Sequence, residues 1–245
     1  MRYDCYRLTL RDILSGILLG LLVDGLVSYT FYRSFTAFFI GVPLALCYPL
    51  YRKKSLQKKR LRELNLQFKE GIMVLSASLS AGYSVENALE ASGKELKVLY
   101  GEQGMITKEF ACMVQQIRMN RPVEAVMMEF ADRSGLEDVE DFARIFAVAK
   151  RSGGQLVPII SHTVEVINDK IGVQEEIRTL TSSRQFEQKI MNLIPFFIIL
   201  YIDGTSPGFF NMMYESVMGR VIMSVCLTVY LIAYVMAEKI LDIRL

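Results

Sequence analysis

The sequence predicts an all-α integral membrane protein in which a single cytoplasmic bundle of about six helices lies between two transmembrane hairpins. Three observations predict this fold class. Hydrophobic residues make up 52% of the 245 residues and the mean hydropathy is positive, which is unusual for a soluble domain. Long apolar runs occur in pairs, one pair near each end of the chain. The middle segment has balanced charge, and its apolar residues recur at helical spacing, without the alternation typical of a strand.

The first pair of apolar runs comprises residues 13–32 and 35–51. A helix needs about 20 residues to cross the hydrocarbon core of a bilayer. Residues 35–51 approach this length without a charged residue, whereas residues 13–32 must take Asp24 into the membrane. Arginines precede the first run, but no small-x-small cleavage site follows it, so we expect a retained anchor rather than a cleaved signal peptide.

The second pair of apolar runs comprises residues 190–202 and 217–237. The latter is long enough to span a bilayer, whereas the former is short and must include Asp203 or end near the outer interface. Basic residues lie at the N-terminus, after the second run and at the C-terminus, while the other side has only Arg33 in a short connection and Arg220 at the membrane edge. The positive-inside rule therefore predicts that both termini and the middle segment are cytoplasmic.

This topology divides the chain into five parts. Residues 1–12 form a cytoplasmic N-terminus, 13–51 two transmembrane helices, 52–189 the helical domain, 190–237 two further transmembrane helices, and 238–245 a cytoplasmic C-terminus. The helical domain contains 21 basic and 19 acidic residues, which is typical of a soluble, mixed-charge domain.

A run of basic residues follows the second apolar run. Its members are Arg52, Lys53, Lys54, Lys58, Lys59, Arg60 and Arg62. The run fixes the orientation of the preceding span, and it can lie against anionic lipid headgroups at about 1 kcal/mol per charge. A contact with another protein is the alternative. The net charge of the whole chain is only +2, which argues against a nucleic-acid partner.

The first two helices of the predicted bundle are separated by a turn at Ala81-Gly82. Glycine at the end of a helix adopts the left-handed conformation at little cost, and Ser84 is a favourable N-cap for the helix that follows. The first helix contains an apolar stripe formed by Leu61, Leu64, Phe68, Ile72, Leu75 and Leu79. The inner face of the second contains Val85, Leu89, Ser92 and Leu96.

Four more helices follow. The third has Ile106, Phe110, Met113 and Ile117 on one face. The fourth is predicted to have Pro122 in its first turn and to stop at Gly135. The fifth runs from about residue 136 to 152 and ends at Gly153-Gly154. The sixth is predicted to continue into residues 190–202, with Gly172 as the candidate point of interruption.

The sequence contains no motif that indicates catalysis. A phosphate-binding loop, a dinucleotide-binding glycine motif and an HExxH zinc motif are all absent. The four cysteines lie far apart, and His162 is the single histidine, so we expect no catalytic residue, no cofactor and no metal site. The acidic residues Glu137, Asp138, Glu140 and Asp141 could bind a cation, but acidic residues in a first turn also complement the helix dipole.

Asp24 and Asp203 are candidate functional residues because they are ionisable groups in or beside predicted spans. Arg33 or Arg220 could pair with them on the outer side of the membrane. The alternative is that each carboxylate lies at the interface and is reached by water.

Two stretches, LSASLSAGYSVENALEAS at 75–92 and FARIFAVAKRSGGQLVPIISHTVEVI at 142–167, resemble the type II secretion system F family. The shared pattern is a small-Gly turn at Gly82, the capping Ser84, and later Gly153 and Gly154 followed by Leu156. The resemblance extends over roughly residues 65–200. Together with the layout of two spans, one domain and two spans, it is similar to the tight-adherence (Flp) pilus platform proteins of the TadB and TadC kind.

The resemblance implies a non-enzymatic, multi-pass platform protein of the bacterial inner membrane. Its partners would be a hexameric secretion ATPase, a second platform protein or another copy of itself, pilin subunits and membrane lipids. The glycines of the shared pattern would be structural, and the basic run would have a second role as part of the surface facing the ATPase or a sister platform subunit. A membrane-anchored signalling or adaptor protein is the alternative, and a small transporter using Asp24 is a further one.

Overall fold

The computed structural model describes residues 3, 10–33, 35–151, 156–206 and 208–241, with side chains for all of these except residues 11–12, 35–37, 40, 44–52 and 241. The described residues form nine α-helices and no strand, which confirms the all-α fold class. The helices are α1 (Leu10–Tyr32), α2 (Phe35–Ser80), α3 (Val85–Tyr100), α4 (Met105–Arg118), α5 (Val123–Ser134), α6 (Glu137–Arg151), α7 (Leu156–Thr205), α8 (Asn211–Glu215) and α9 (Val217–Leu241).

Two of the helices are long, and the second of them confirms the predicted continuation of the sixth bundle helix into residues 190–202. α2 has 46 residues and joins the second apolar run to the first helix of the bundle. α7 has 50 residues and joins the last helix of the bundle to residues 190–202. Gly172 does not interrupt α7, and a Cβ atom built there would meet no atom within 4 Å. Pro195 also lies inside α7 without ending it.

The residues divide into two compact units. Unit 1 comprises Met1–Arg7 and Lys53–Val173, and unit 2 comprises Leu8–Arg52 and Gln174–Leu245. Unit 1 is the helical bundle, formed by the end of α2, by α3 to α6 and by the start of α7. These are the six helical segments that the periodicity predicted. The predicted domain boundary at residue 189 stays a prediction.

The core of unit 1 is a single apolar cluster to which every one of its six helical segments contributes. Phe68 of α2 lies at its centre, with its ring centroid 6.1 Å from that of Phe130 in α5 and 5.7 Å from that of Phe142 in α6. Phe146 follows one turn later in α6, 6.1 Å from Phe142. The aromatic rings therefore join the first helix of the bundle to the two helices that form the α5–α6 hairpin.

The turns of unit 1 follow the chemistry of their residues. Gly82 has a φ of +89° and Gly135 a φ of +66°, a backbone region that glycine enters without the strain of a Cβ. Ser84 caps α3, because its side-chain oxygen accepts a hydrogen bond from the backbone N–H of Asn87 at 3.4 Å. Pro122 is the N-cap of α5 rather than a residue of its first turn, so the prediction for Pro122 was wrong by one position.

Replacing Ser84 with alanine is expected to loosen the first turn of α3, because the first backbone N–H groups of a helix have no partner within the helix and the Ser84 side chain accepts from one of them. The expected cost is about 1 kcal/mol, which corresponds to roughly fivefold faster hydrogen exchange of the amides that follow. Hydrogen–deuterium exchange of the full chain measures this. Ser80→Ala, at an exposed position at the end of α2, is the matched control. Unchanged exchange in Ser84→Ala would mean that the cap contributes nothing.

Unit 2 consists of α1, the start of α2, the end of α7, α8 and α9. Two of its helices contain segments that are long and apolar enough to cross a membrane, Ile13–Tyr32 and Val217–Ile240. The predicted spans at 35–51 and 190–202, and the arrangement of the spans as hairpins, stay predictions. The buried centre of this unit is small and comprises Phe31, Phe196 and Met223.

The five-residue helix α8 was not predicted, because it is too short to show a periodic pattern. It packs tightly against α9. A Cβ atom added to Gly219 would lie 2.3 Å from the backbone oxygen of Met213, so the absence of a side chain at Gly219 allows the two helices to approach.

Candidate functional site

The basic run lies near the middle of α2, and all of its members except Arg52 belong to unit 1, the bundle. The side chains of Lys54, Lys58 and Lys59 are exposed, and those of Lys53, Arg60 and Arg62 are partly buried. The side chain of Arg52 lies outside the described residues. The guanidinium carbon of Arg60 lies 5.3 Å from the ring centroid of Tyr3.

Tyr3 is bound to the bundle, although it precedes the first apolar helix. Its side chain is buried, with a relative exposure of 2%. Its hydroxyl donates a hydrogen bond to Glu109 Oε1 at 2.9 Å, and its backbone N–H donates to the carbonyl of Arg133 at 3.1 Å. Burial, together with the charge of Glu109, raises the pKa of Tyr3, so the phenol stays protonated and remains a donor at neutral pH.

Glu109 is a buried carboxylate on α4, with a relative exposure of 5%. Its second oxygen accepts a hydrogen bond from Arg133 Nη2 at 2.6 Å. Arg133 also donates through Nη1 to Glu129 Oε1 at 2.8 Å. A buried charge is tolerated only when it is paired and hydrogen-bonded, and Tyr3 and Arg133 fulfil that condition for Glu109.

A second buried carboxylate belongs to Asp138, in the first turn of α6. It accepts hydrogen bonds from Asn65 Nδ2 at 2.8 Å and from Lys170 Nζ at 2.6 Å. The hydrogen bond to Asp138 raises the pKa of Lys170. Asp138 therefore joins α2, α6 and α7, in addition to complementing the dipole of its own helix.

The acidic residues at the start of α6 do not form a cluster for a cation. Asp138 is turned inward to its two partners, whereas Glu137 and Asp141 are exposed. Within the described part of the chain, no group of three or more His, Cys, Asp or Glu side chains could hold a metal ion. His162 is exposed on α7, and its Nδ1 lies 3.9 Å from Glu165 Oε2.

Asp203 belongs to an ion pair in unit 2. Its carboxylate accepts a hydrogen bond from the guanidinium of Arg33, so Arg33 rather than Arg220 is its partner. Two tyrosine rings flank the guanidinium, with centroids 5.8 Å away for Tyr29 and 5.6 Å away for Tyr214. Arg33 lies just after α1 and Asp203 in the last turn of α7, so the ion pair joins the ends of two helices.

Asp24 lies in α1, next to a glycine of α2. A Cβ atom built on Gly41 would lie 1.7 Å from Asp24 Oδ1, so only glycine at position 41 leaves room for this carboxylate. Asp24 Oδ2 is buried and has no hydrogen-bond partner among the described residues. The sequence did not indicate Gly41, because nothing along the chain relates position 41 to position 24.

The residues of the family pattern are structural where they are described. Gly82 and Ser84 form the turn between α2 and α3, and Leu156 is the partly buried first residue of α7. Gly153 and Gly154 lie outside the described residues.

Sequence reasoning missed Tyr3, Glu109 and Arg133 altogether. One signal was available for Glu109: it falls on the face of α4 that contains Ile106 and Met113, where an unpaired glutamate would be costly. A buried glutamate requires a cationic or donor partner, but the sequence does not say where that partner lies.

The chain was compared with known families, curated proteins and solved structures. The family model described as Type II secretion system (T2SS), protein F matches residues 72–202, just over half of the chain. These residues run from within α2 to within α7 and include α3 to α6 entirely. No curated protein and no solved structure matches the chain.

Proposed function

Because the chain belongs to the type II secretion system protein F family, we propose that it is a non-enzymatic platform protein of a pilus-assembly or secretion machine in the bacterial inner membrane. The observation that carries this proposal is the family match over residues 72–202, which includes most of the helical bundle. The expected partners are a hexameric secretion ATPase, a second platform protein or another copy of this chain, and pilin subunits. The tight-adherence (Flp) kind of machine, with TadB-like and TadC-like platforms, is the specific form that we propose.

The proposed membrane arrangement has four spans, with the bundle and both termini in the cytoplasm. The apolar composition of α1 and α9 and the distribution of arginine and lysine support it. A contact within unit 1 adds independent support. Tyr3 touches Glu109 and Arg133, which supports a cytoplasmic N-terminus on the same side as the bundle. An N-terminus on that side is what a first hairpin of two spans requires.

The proposed mechanism is mechanical coupling between the ATPase and pilin extraction. Helices transmit displacement where flexible linkers would absorb it. No Gly- or Ser-rich linker separates residues 35–51 from the bundle, because both belong to α2, and residues 190–202 are likewise part of α7. The continuity of these two helices supports a platform that passes a displacement on to pilin subunits in the membrane.

Purification of a tagged copy from its own membranes after mild crosslinking tests the proposal. Mass spectrometry should identify a secretion ATPase together with a second, similar platform protein. Recovery of a response regulator instead, or of no partner from a protein that is inserted normally, would contradict the platform function.

The exposed part of the basic run is expected to contribute to binding of the ATPase. Reversing the charge of Lys54 and Lys59 to glutamate should weaken co-purification of the ATPase about tenfold, because each reversal replaces an attraction with a repulsion. Lys97→Glu with Lys108→Glu is the matched control, since both lysines are exposed on other helices of the bundle. If the Lys54/Lys59 variant is inserted normally and binds the ATPase as well as the wild-type chain does, the ATPase is not the partner of the basic run. Lipid headgroups would then be its partner.

A further inference from the structure

Tyr3 belongs to none of the described helices, yet its side chain is buried. A residue outside regular secondary structure needs specific contacts to hold it in place. Three helices supply such contacts to Tyr3: Arg60 from α2 lies over the ring, Glu109 from α4 accepts from the hydroxyl, and Arg133 from α5 accepts from the backbone N–H. The ring face, the hydroxyl and the backbone N–H of Tyr3 are therefore all in contact with the bundle.

The site that receives Tyr3 is polar and depends on its occupant. Glu109 is buried, and one of its oxygens is bound by Arg133. The other accepts from the Tyr3 hydroxyl. Removal of Tyr3 would leave that oxygen without its donor, and an unsatisfied buried acceptor is costly. A phenol matches this site better than any aliphatic side chain, since it supplies a ring for the guanidinium of Arg60 and a donor for the carboxylate.

We propose that Tyr3 is an anchor that docks on the helical bundle, in a site built by Arg60, Glu109 and Arg133. Tyr3 precedes Leu10, the first residue of α1, by seven positions, so its docking restrains the chain that leads into that helix. The docking itself does not depend on the proposed platform function.

Limited digestion by trypsin tests the proposal on the full chain in detergent or lipid nanodiscs. The chain around Tyr3 contains two tryptic sites, after Arg2 and after Arg7, and a protease needs the chain around its cleavage site to be free. The release of N-terminal peptides is followed by mass spectrometry of the intact chain. Cleavage of a segment that opens and closes rapidly reports the fraction of time for which it is open.

Two variants act on the two sides of the contact. Tyr3→Phe removes the hydroxyl and keeps the ring, whereas Glu109→Ala removes the acceptor and leaves the sequence around Tyr3 unchanged. Each should raise the cleavage rate after Arg2, at the bond to Tyr3, by about tenfold or more, the effect of losing a hydrogen bond to a charged group. Glu102→Ala, at an exposed carboxylate just before α4, is the matched control and should leave the rate as it is.

Rapid cleavage of the wild-type chain, at the rate seen for both variants, would overturn the proposal. If Glu109→Ala reduces the helix content of the bundle, the Tyr3→Phe result decides alone, because that substitution leaves every bundle residue in place. The measurement needs no ATPase and no pilin, so its failure would be distinct from failure of the platform function.

Discussion

Replacing Phe68 with alanine is expected to lower the free energy of unfolding of the helical bundle by about 3–5 kcal/mol. Phe68 has a relative exposure of 2%, and its ring packs against Phe130 and Phe142 on two other helices. Truncation removes the apolar area and also leaves a cavity, because the surrounding helices close it only in part. The loss is large relative to the total stability of an ordinary domain.

Chemical denaturation of the full chain, followed by far-ultraviolet circular dichroism, measures the effect of Phe68→Ala. The control is Leu99→Ala on α3, which truncates an apolar side chain that is more than half exposed and should change the stability by about 0.5 kcal/mol or less. A change below about 1 kcal/mol for Phe68→Ala would mean that α2 is not held to α5 and α6 by these aromatic contacts.

Replacing Arg133 with methionine is expected to destabilise the bundle by a similar amount, about 3–5 kcal/mol, for an electrostatic reason. Methionine fills much of the volume of arginine but supplies no donor. Glu109 would then remain buried with Tyr3 as its one hydrogen-bond donor, and removing one partner of a buried pair leaves an uncompensated charge.

Arg144→Met is the matched control for Arg133→Met. The side chain of Arg144 is 66% exposed against 18% for Arg133, and its pairing with Glu140 is a surface contact within one helix. Such a pair contributes about 0.3–0.5 kcal/mol. Adding Glu109→Gln to Arg133→Met should recover part of the lost stability, since the buried charge is then gone. Equal effects of the two arginine substitutions would show that Glu109 does not need its partner.

The helices of the bundle could be predicted because each is amphipathic and ends at residues with a clear local role. The inner face of α3 is an example: Val85, Leu89, Ser92 and Leu96 are all buried as their spacing indicated. Gly135 ends α5 with a positive φ, again as predicted. These features depend on residues that are close in sequence, which is why they can be read from the sequence alone.

The tertiary contacts could not be predicted in the same way. The sequence explained Asp138 as an acidic residue that complements the helix dipole in the first turn of α6. That explanation gave no indication of its hydrogen bonds to Asn65 and Lys170. The pairing of Arg33 with Asp203 was one of several options among the charges near the predicted spans. Tyr3 could not be found at all, because its hydrogen-bond partners Glu109 and Arg133 lie more than a hundred residues away.

The order of protein synthesis limits when the contact of Tyr3 can form. Glu109 follows Tyr3 by 106 residues, so at about 5–20 residues per second the ribosome needs roughly 5–20 s to reach it. During that interval the N-terminal segment has no site to occupy. In the proposed membrane arrangement, the orientation of α1 would be set before this contact forms, by the arginines around that helix. Docking of Tyr3 is therefore a late step, which can stabilise the orientation of α1 but cannot determine it.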